Sequence, residues 1–301
     1  MKIVFLGTSG SMPTPSRGSS AVAVRRNREI ILFDCGEGTQ QRMVAARLGF
    51  RRPTRVFISH LHGDHILGLP GLLETMTLLR RERSLYVYGP RGLIEFIKAF
   101  SSVLGGPGFP LEVHEIVEGG TVFSCPGYRV EAARADHEGE CWSYALVEGP
   151  RPGKFHPNRA RALGVPEGPL WKRLQQGEDV ELNNARSVRS SEVVDPPKQG
   201  RKIAYSGDTR PTEAVVRLAE DADILIHEAT FDDSLGERAA EDGHSTASQA
   251  AEIAAAAKVG LLLLTHISSR YPDPGVLLEQ AKLVFPNTKV AEDLMEIEIP
   301  L

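Results

Sequence analysis

The sequence predicts an α/β protein, and three observations carry that prediction. Apolar runs of strand length alternate with longer stretches of helical spacing along the chain. Several of the apolar runs end on a His, an Asp or a Gly-Asp turn, which puts metal-compatible groups at strand ends. The 301 residues, 41% of them hydrophobic and 25% charged, are ordinary for a globular chain and sufficient for a large core.

Residues 2–6 and 19–26 read as strands joined by Gly7-Thr8-Ser9-Gly10-Ser11-Met12-Pro13. That link lacks the Lys-Ser/Thr ending of a P-loop and the third Gly of a dinucleotide turn, which favours a tight turn near the metal edge over a phosphate cradle. Glu29–Asp34 is a third strand, and Cys35-Gly36-Glu37-Gly38 separates it from a helix over 38–48. Arg55–Ser59 is a buried strand. Residues 66–80 have helical spacing broken by Pro70-Gly71; Leu85–Tyr88 is a strand, 91–101 a helix, and 111–117 and 121–133 are further strands. His137 stands at a corner between strand runs, before Cys141–Val147.

Residues 149–195 differ in character. Pro and Gly recur, and between 151 and 173 six cations (Arg151, Lys154, Arg159, Arg161, Lys172, Arg173) face one acid, Glu167. This composition argues against long regular structure and against a self-contained core. It fits a surface insertion, or a basic element that grips a polyanion through Lys and Arg. The alternation then resumes. Lys202–Ser206 is a strand ending at Gly207-Asp208-Thr209, a helix follows Pro211, and 223–230 is a strand. A helix over 246–258 has Ser245 or Thr246 as its N-cap. Leu261–Thr265 is a strand ending on His266, 274–284 a helix, and the tail 288–299 alternates as an edge strand would.

No apolar run reaches about 18 residues, so no membrane span is expected. The apolar part of the N-terminus is too short for a signal peptide and reads as the first strand. Cys35, Cys125 and Cys141 are far apart and odd in number, as free thiols in a reducing compartment would be. The net charge of −4 decides nothing about nucleic acid. From Thr39 to His62, however, five arginines (Arg42, Arg47, Arg51, Arg52, Arg55) occur without an acid. A solvated helix face and a phosphate-binding rim both fit that run.

The chemistry concentrates in Ser59-His60-Leu61-His62-Gly63-Asp64-His65, three histidines and an aspartate within six residues after a strand. Imidazole and carboxylate are ligands for first-row divalent metals, zinc above all. One catalytic ion takes only about three protein ligands, so four from a single loop suggest two ions close together.

This motif resembles the His-x-His-x-Asp-His signature of the metallo-β-lactamase superfamily. With Asp208 in Gly-Asp-Thr, Glu228 in His-Glu-Ala-Thr, His244 in His-Ser-Thr and His266 in Thr-His-Ile-Ser-Ser-Arg-Tyr, the chain resembles the ribonuclease Z family in its short form. The resemblance implies a four-layer αβ/βα sandwich, a single catalytic domain over 1–301, with the metals at one edge. It implies that residues 150–195, and 150–182 most closely, form a protruding flexible arm. It implies two Zn2+ per subunit, one held by His60, His62 and His137, the other by Asp64, His65 and His266, with Asp208 between them. Two-ion centres stabilise in-line displacement at phosphorus. Asp64 would orient the attacking water and take its proton, and His244 would protonate the leaving oxygen, held by Glu228. Glu228 as a strand-end acid paired with an Arg is the alternative. Asp34 would orient a ligand His, or else cap local backbone. The implied substrate is precursor tRNA, gripped by Arg159, Arg161, Lys172 or Arg173, and the implied assembly is a cytoplasmic homodimer. A same-fold hydrolase of small phosphodiesters or esters would share every metal ligand.

Overall fold

The computed structural model describes residues 1–182 and 186–300; Asn183, Asn184 and Ala185, inside the expected arm, and Leu301 lie outside the described residues. The strands longer than two residues, in chain order, are β1 (Lys2–Gly7), β2 (Ala21–Arg26), β3 (Glu29–Phe33), β4 (Thr54–Phe57), β5 (Leu85–Gly89) and β6 (Leu111–Glu115). They continue with β7 (Gly120–Cys125), β8 (Tyr128–Arg134), β9 (Trp142–Glu148), β10 (Lys202–Tyr205), β11 (Ile224–Glu228), β12 (Leu261–Thr265), β13 (Thr288–Val290) and β14 (Glu296–Glu298). One seven-stranded sheet has the order β14-β1-β2-β3-β4-β5-β6, and the other β13-β12-β11-β10-β9-β8-β7. Strands β3 to β6 are parallel to one another, as are β10 to β13, so within each set the C-terminal ends share an edge.

Alternation along the strands sorts side chains between two faces. Ile30, Leu32, Val56 and Ile58 pack into a core with Met43, Leu72, Leu73 and Ile97, contributed by helices Thr39–Ala45, Gly68–Leu78 and Leu93–Leu104. Phe33 and Phe57 occupy the opposite face and meet the second sheet. Phe33 stacks on Tyr144 and Tyr205 with ring centroids 6.0 and 5.5 Å apart, and Phe57 lies 5.5 Å from Tyr144. Helices Glu213–Ala219, Ala247–Ala256 and Gly275–Val284 cover the other side of the second sheet, where Ala250, Ala251 and Ala254 are fully buried. The result is helix, sheet, sheet, helix, the four-layer sandwich of the metallo-β-lactamase fold.

Three local expectations need correction. The run 121–133 is not one strand but two, β7 and β8, separated by a turn at Pro126-Gly127. Pro70 does not break its helix, which runs unbroken over Gly68–Leu78. Pro70 sits in the first turn, where its missing N–H has no helical acceptor to lose. The tail is not one strand: β13 edges the second sheet and β14 the first. Thr246, not Ser245, caps its helix, accepting from Gln249 N while the Gln249 side chain accepts from Thr246 N.

The chain divides into two compact units, one of Met1–Cys125, Arg129–Leu146 and Lys202–Leu301, the other of Pro126–Tyr128 and Val147–Arg201. The expectation that residues 149–195 lack a core of their own fails. Ala160, Val165, Leu174, Val180, Val188 and Val193 are buried together, and Phe155 packs on Trp171 at 5.2 Å. Pro157 and Pro169 start short helices (Pro157–Ala162 and Pro169–Gln175) instead of preventing them, because a proline at N1 gives up no helical hydrogen bond. Within the same unit Arg201 pairs with Glu148 through Nε and Nη2 at 2.6 and 3.1 Å. No helix among the described residues is long and apolar enough to cross a membrane.

The aromatic layer predicts the stability cost of breaching it. Phe57→Ala is expected to lower unfolding free energy by about 3–5 kcal/mol in urea denaturation. A loss below about 1 kcal/mol would show that this layer does not hold the sheets together.

Candidate metal centre

Strand ends supply the site. His60 follows β4 by three residues, and a short helix, Gly63–Ile66, carries Asp64 and His65 with His62 at its N-cap. His137 stands in the loop between β8 and β9, Asp208 follows β10, Glu228 ends β11 and His266 follows β12. His244 precedes the helix Ala247–Ala256.

These residues converge. The ligand atoms of His60, His62 and His137 lie within 4.8 Å of one another, and so do those of Asp64, His65 and His266. Asp208 lies between the triads, with Oδ2 at 3.7 and 4.0 Å from Nε2 of His60 and His137 and at 3.3 Å from Nε2 of both His65 and His266. The nitrogens face one another: His65 Nε2 and His266 Nε2 are 3.3 Å apart, as are His137 Nε2 and His62 Nδ1.

The opposite edge of four of the five rings is held, the exposed His62 being the exception among the described residues. His65 Nδ1 is 2.8 Å from Asp34 Oδ2, His137 Nδ1 is 2.8 Å from the Gly243 carbonyl, His60 Nδ1 is 3.0 Å from Ser59 Oγ, and His266 Nδ1 is 3.0 Å from Thr230 Oγ1. Such partners fix tautomer and ring orientation and leave the inner nitrogens as electron-pair donors. Gly243 has φ +80°, and a Cβ there would stand 2.7 Å from His137 Nδ1, so this contact needs glycine.

Asp34 does more than orient His65. Fully buried, it accepts from Ser59 N (2.6 Å) on Oδ1, and from Ser59 Oγ (2.8 Å) and Tyr205 Oη (2.6 Å) on Oδ2. Ser11, at φ +57° in the turn after β1, donates its backbone N–H to Asp64 Oδ2 at 2.9 Å.

Beside this cluster His244 Nδ1 is 2.9 Å from Glu228 Oε1, so the acid pairs with this histidine and not with an arginine. Glu228 Oε1 also accepts from Thr209 N, and Oε2 from Thr230 Oγ1 at 2.6 Å. Burial opposes the charged form of His244, but the Glu228 carboxylate outweighs it and raises the pKa to about 9. Burial and the neighbouring His65 hold His60 well below the usual imidazole range. Burial disfavours the anions of Asp64 and Asp208, yet the surrounding imidazoles hold both pKa values below the usual carboxylate range.

A divalent metal fits this arrangement. His60 Nε2 and Asp208 Oδ1 are buried with no hydrogen-bond partner, which costs free energy in a dry interior unless something binds there. Imidazole nitrogens facing one another beside ionised carboxylates are a donor set without an acceptor, and a cation supplies it.

The residues named for the second unit divide by partner. Arg161 pairs with Glu167 at 2.8 Å and lies over the Trp171 ring, and Arg173 pairs with Glu178 at 2.8 Å. Arg159 and Lys172 are exposed and have no ion pair among the described residues. Sequence reasoning assigned no role to Thr230, Ser59, Ser11, Tyr205 or Gly243. Thr230, Ser59 and Gly243 sit inside or beside the ligand motifs and Ser11 lies in the Gly7–Pro13 turn, whereas nothing in the sequence marks Tyr205.

The fold and the donor cluster at its strand ends define a metallohydrolase of the metallo-β-lactamase type. Family models described as "Beta-lactamase superfamily domain" and "Anti-Pycsar protein Apyc1" match residues 174–267 and 1–101. Curated proteins named Ribonuclease Z are similar over the whole chain: that of Methanosarcina acetivorans is 48% identical, covering 100% of this chain and 98% of its own, and that of Haloferax volcanii 46%, covering 100% and 95%. The crystal structure of human tRNase Z, short form (ELAC1), is 32% identical, with 100% of each chain covered and a TM-score of 0.75. The chain belongs to the ribonuclease Z family, and it is thereby a metal-dependent endoribonuclease of the metallo-β-lactamase superfamily.

Asp34→Asn removes one carboxylate oxygen from a set of four donors and presents an amide N–H₂ to them. We expect metal affinity about 10–100-fold weaker, measured by competition with a chelator. Affinity equal to wild type would mean that Asp34 does not position His65.

Proposed function

We propose that this enzyme removes the 3′ trailer of precursor tRNA by hydrolysing one phosphodiester just after the discriminator nucleotide. One observation carries the reading: two triads of inward-facing donors share the buried Asp208, with the Glu228–His244 pair alongside. We assign one Zn2+ to His60, His62 and His137, the other to Asp64, His65 and His266, and Asp208 to both. Two bound ions would supply counter-charge for phosphoryl oxygens and lower the pKa of the attacking water.

The protein side chains move the protons. Asp64 Oδ2 is held by the Ser11 N–H, and Oδ1 has no protein partner among the described residues, so Oδ1 is available to orient the water and take its proton. As the water oxygen bonds to phosphorus, the P–O3′ bond breaks and its electron pair goes to O3′. His244, with Nδ1 toward Glu228, donates its Nε2 proton to that oxygen. The tRNA keeps a 3′-hydroxyl and the trailer a 5′-phosphate. Residues 150–195 act as the arm that grips tRNA, with Arg159 and Lys172 as its unpaired contacts, in a cytoplasmic homodimer.

The test compares precursor tRNA with bis(p-nitrophenyl) phosphate, whose leaving group departs as an anion without a proton. Wild type is expected to make a single cut after the discriminator, and Asp64→Ala to lose both activities. His244→Ala is expected to lose about 10²–10⁴-fold on tRNA and far less on the small diester. Equal losses on both substrates would remove His244 as the acid. A wild type that carries metal and hydrolyses only the small diester would overturn tRNA as the substrate.

A further inference from the structure

The arginine run between Thr39 and His62 is not one surface. Arg42 pairs with Asp293 at 3.0 Å and Arg55 pairs with Glu29, so both serve the fold. Arg51 and Arg52 instead meet Arg28 and Arg83 around an open surface cleft of about 660 Å³ whose lining includes Phe50 and Leu79. The cleft lies at the N-terminal end of β4, about 20 Å from His60 at the strand rise of about 3.3 Å per residue.

Charge there is uncompensated. Among the described residues none of the four arginines has a carboxylate within ion-pair distance. Arg51 gives Nε and Nη2 to the Leu79 carbonyl, and no side-chain N–H of Arg28 or Arg83 is bonded to protein. Nearby, Arg81 is 2% exposed, and it too has no carboxylate partner. Its guanidinium donates to the carbonyls of Phe50, Arg52, Arg83 and Ser84 at 2.6–2.9 Å, tying together the segments that carry three of the cleft's arginines, Arg51, Arg52 and Arg83. It also lies over the Phe109 ring at 5.6 Å, and a guanidinium held by carbonyl dipoles and a ring face, with no carboxylate, keeps its full positive charge. On a chain of net charge −4, five arginines gather here against one acid in the same segments, Glu82. Guanidinium forks match the geometry of phosphate oxygens.

We propose that this cleft binds a backbone phosphate of the RNA substrate, as a grip on the catalytic unit remote from the metal centre. The proposal rests on the reading of the substrate as RNA. Its test is equilibrium binding of precursor tRNA to the full-length protein across a salt series, for wild type, R28A/R83A and R28K/R83K. Neither arginine bonds to protein, so circular dichroism and melting of the variants should match wild type. The alanine pair is expected to weaken binding about tenfold near 0.1 M salt and to reduce the slope of log K against log salt by about 1, as loss of one phosphate contact would. The lysine pair is expected to keep the slope. A wild type that binds and cuts tRNA, matched by R28A/R83A in affinity and slope, would overturn the cleft alone. A wild type that does not bind tRNA would overturn the substrate reading with it. Calorimetry with inorganic phosphate separates the sources: phosphate binding lost in R28A/R83A while tRNA affinity is unchanged would assign the cleft to a small phosphorylated ligand, against the proposal.

Discussion

The buried carboxylate of Asp34 is the interaction on which this site depends. It takes a backbone N–H and a hydroxyl from Ser59, a ring nitrogen from His65 and the phenol of Tyr205. Those partners come from the end of β4, from the short ligand helix and from β10 of the facing sheet. One side chain therefore joins both sheets to the metal loop. Each bond to a charged acceptor contributes about 1.5–3 kcal/mol, and a donor left unpaired at this depth costs a comparable amount. The cost of burying Asp34 is tolerable because all four donors are present together.

Topology explains why the donors converge. Parallel strands align their C-terminal ends, and two such sets, β3 to β6 and β10 to β13, face each other across the Phe33, Phe57, Tyr144 and Tyr205 layer. Residues that follow parallel strands then meet at one edge although they are up to about two hundred positions apart, as His65 and His266 are. Outer partners such as Gly243 and Thr230 hold the rings so that a metal would meet oriented donors. The same edge leaves His62 exposed and Asp64 partly so, which gives a substrate access on that side.

Legibility followed sequence distance. The strands and the ligand run His60–His65 were readable because strand period and motif spacing are local properties. The four-layer arrangement came through resemblance, as did the proposed partition of ligands, since nothing local says which strand ends will face each other. Contacts made only through space stayed hidden: the Ser11 N–H on Asp64, Tyr205 on Asp34, and the Gly243 carbonyl under His137. The Arg42–Arg55 run looked uniform in sequence, yet strand and helix geometry send Arg42 to Asp293 and Arg55 to Glu29. The core of residues 147–201 was missed because Pro and Gly were read as breakers, whereas Pro157 and Pro169 are helix starters.

The central claim is that Asp208 is shared by two metal ions. Anomalous diffraction at the zinc edge, from crystals of the metal-loaded protein, tests it directly. The account predicts two peaks about 3.5–4 Å apart, one within the His60–His62–His137 triad and one within the Asp64–His65–His266 triad, with Asp208 in contact with both. A single peak, or a pair that leaves Asp208 outside coordination distance, would contradict it.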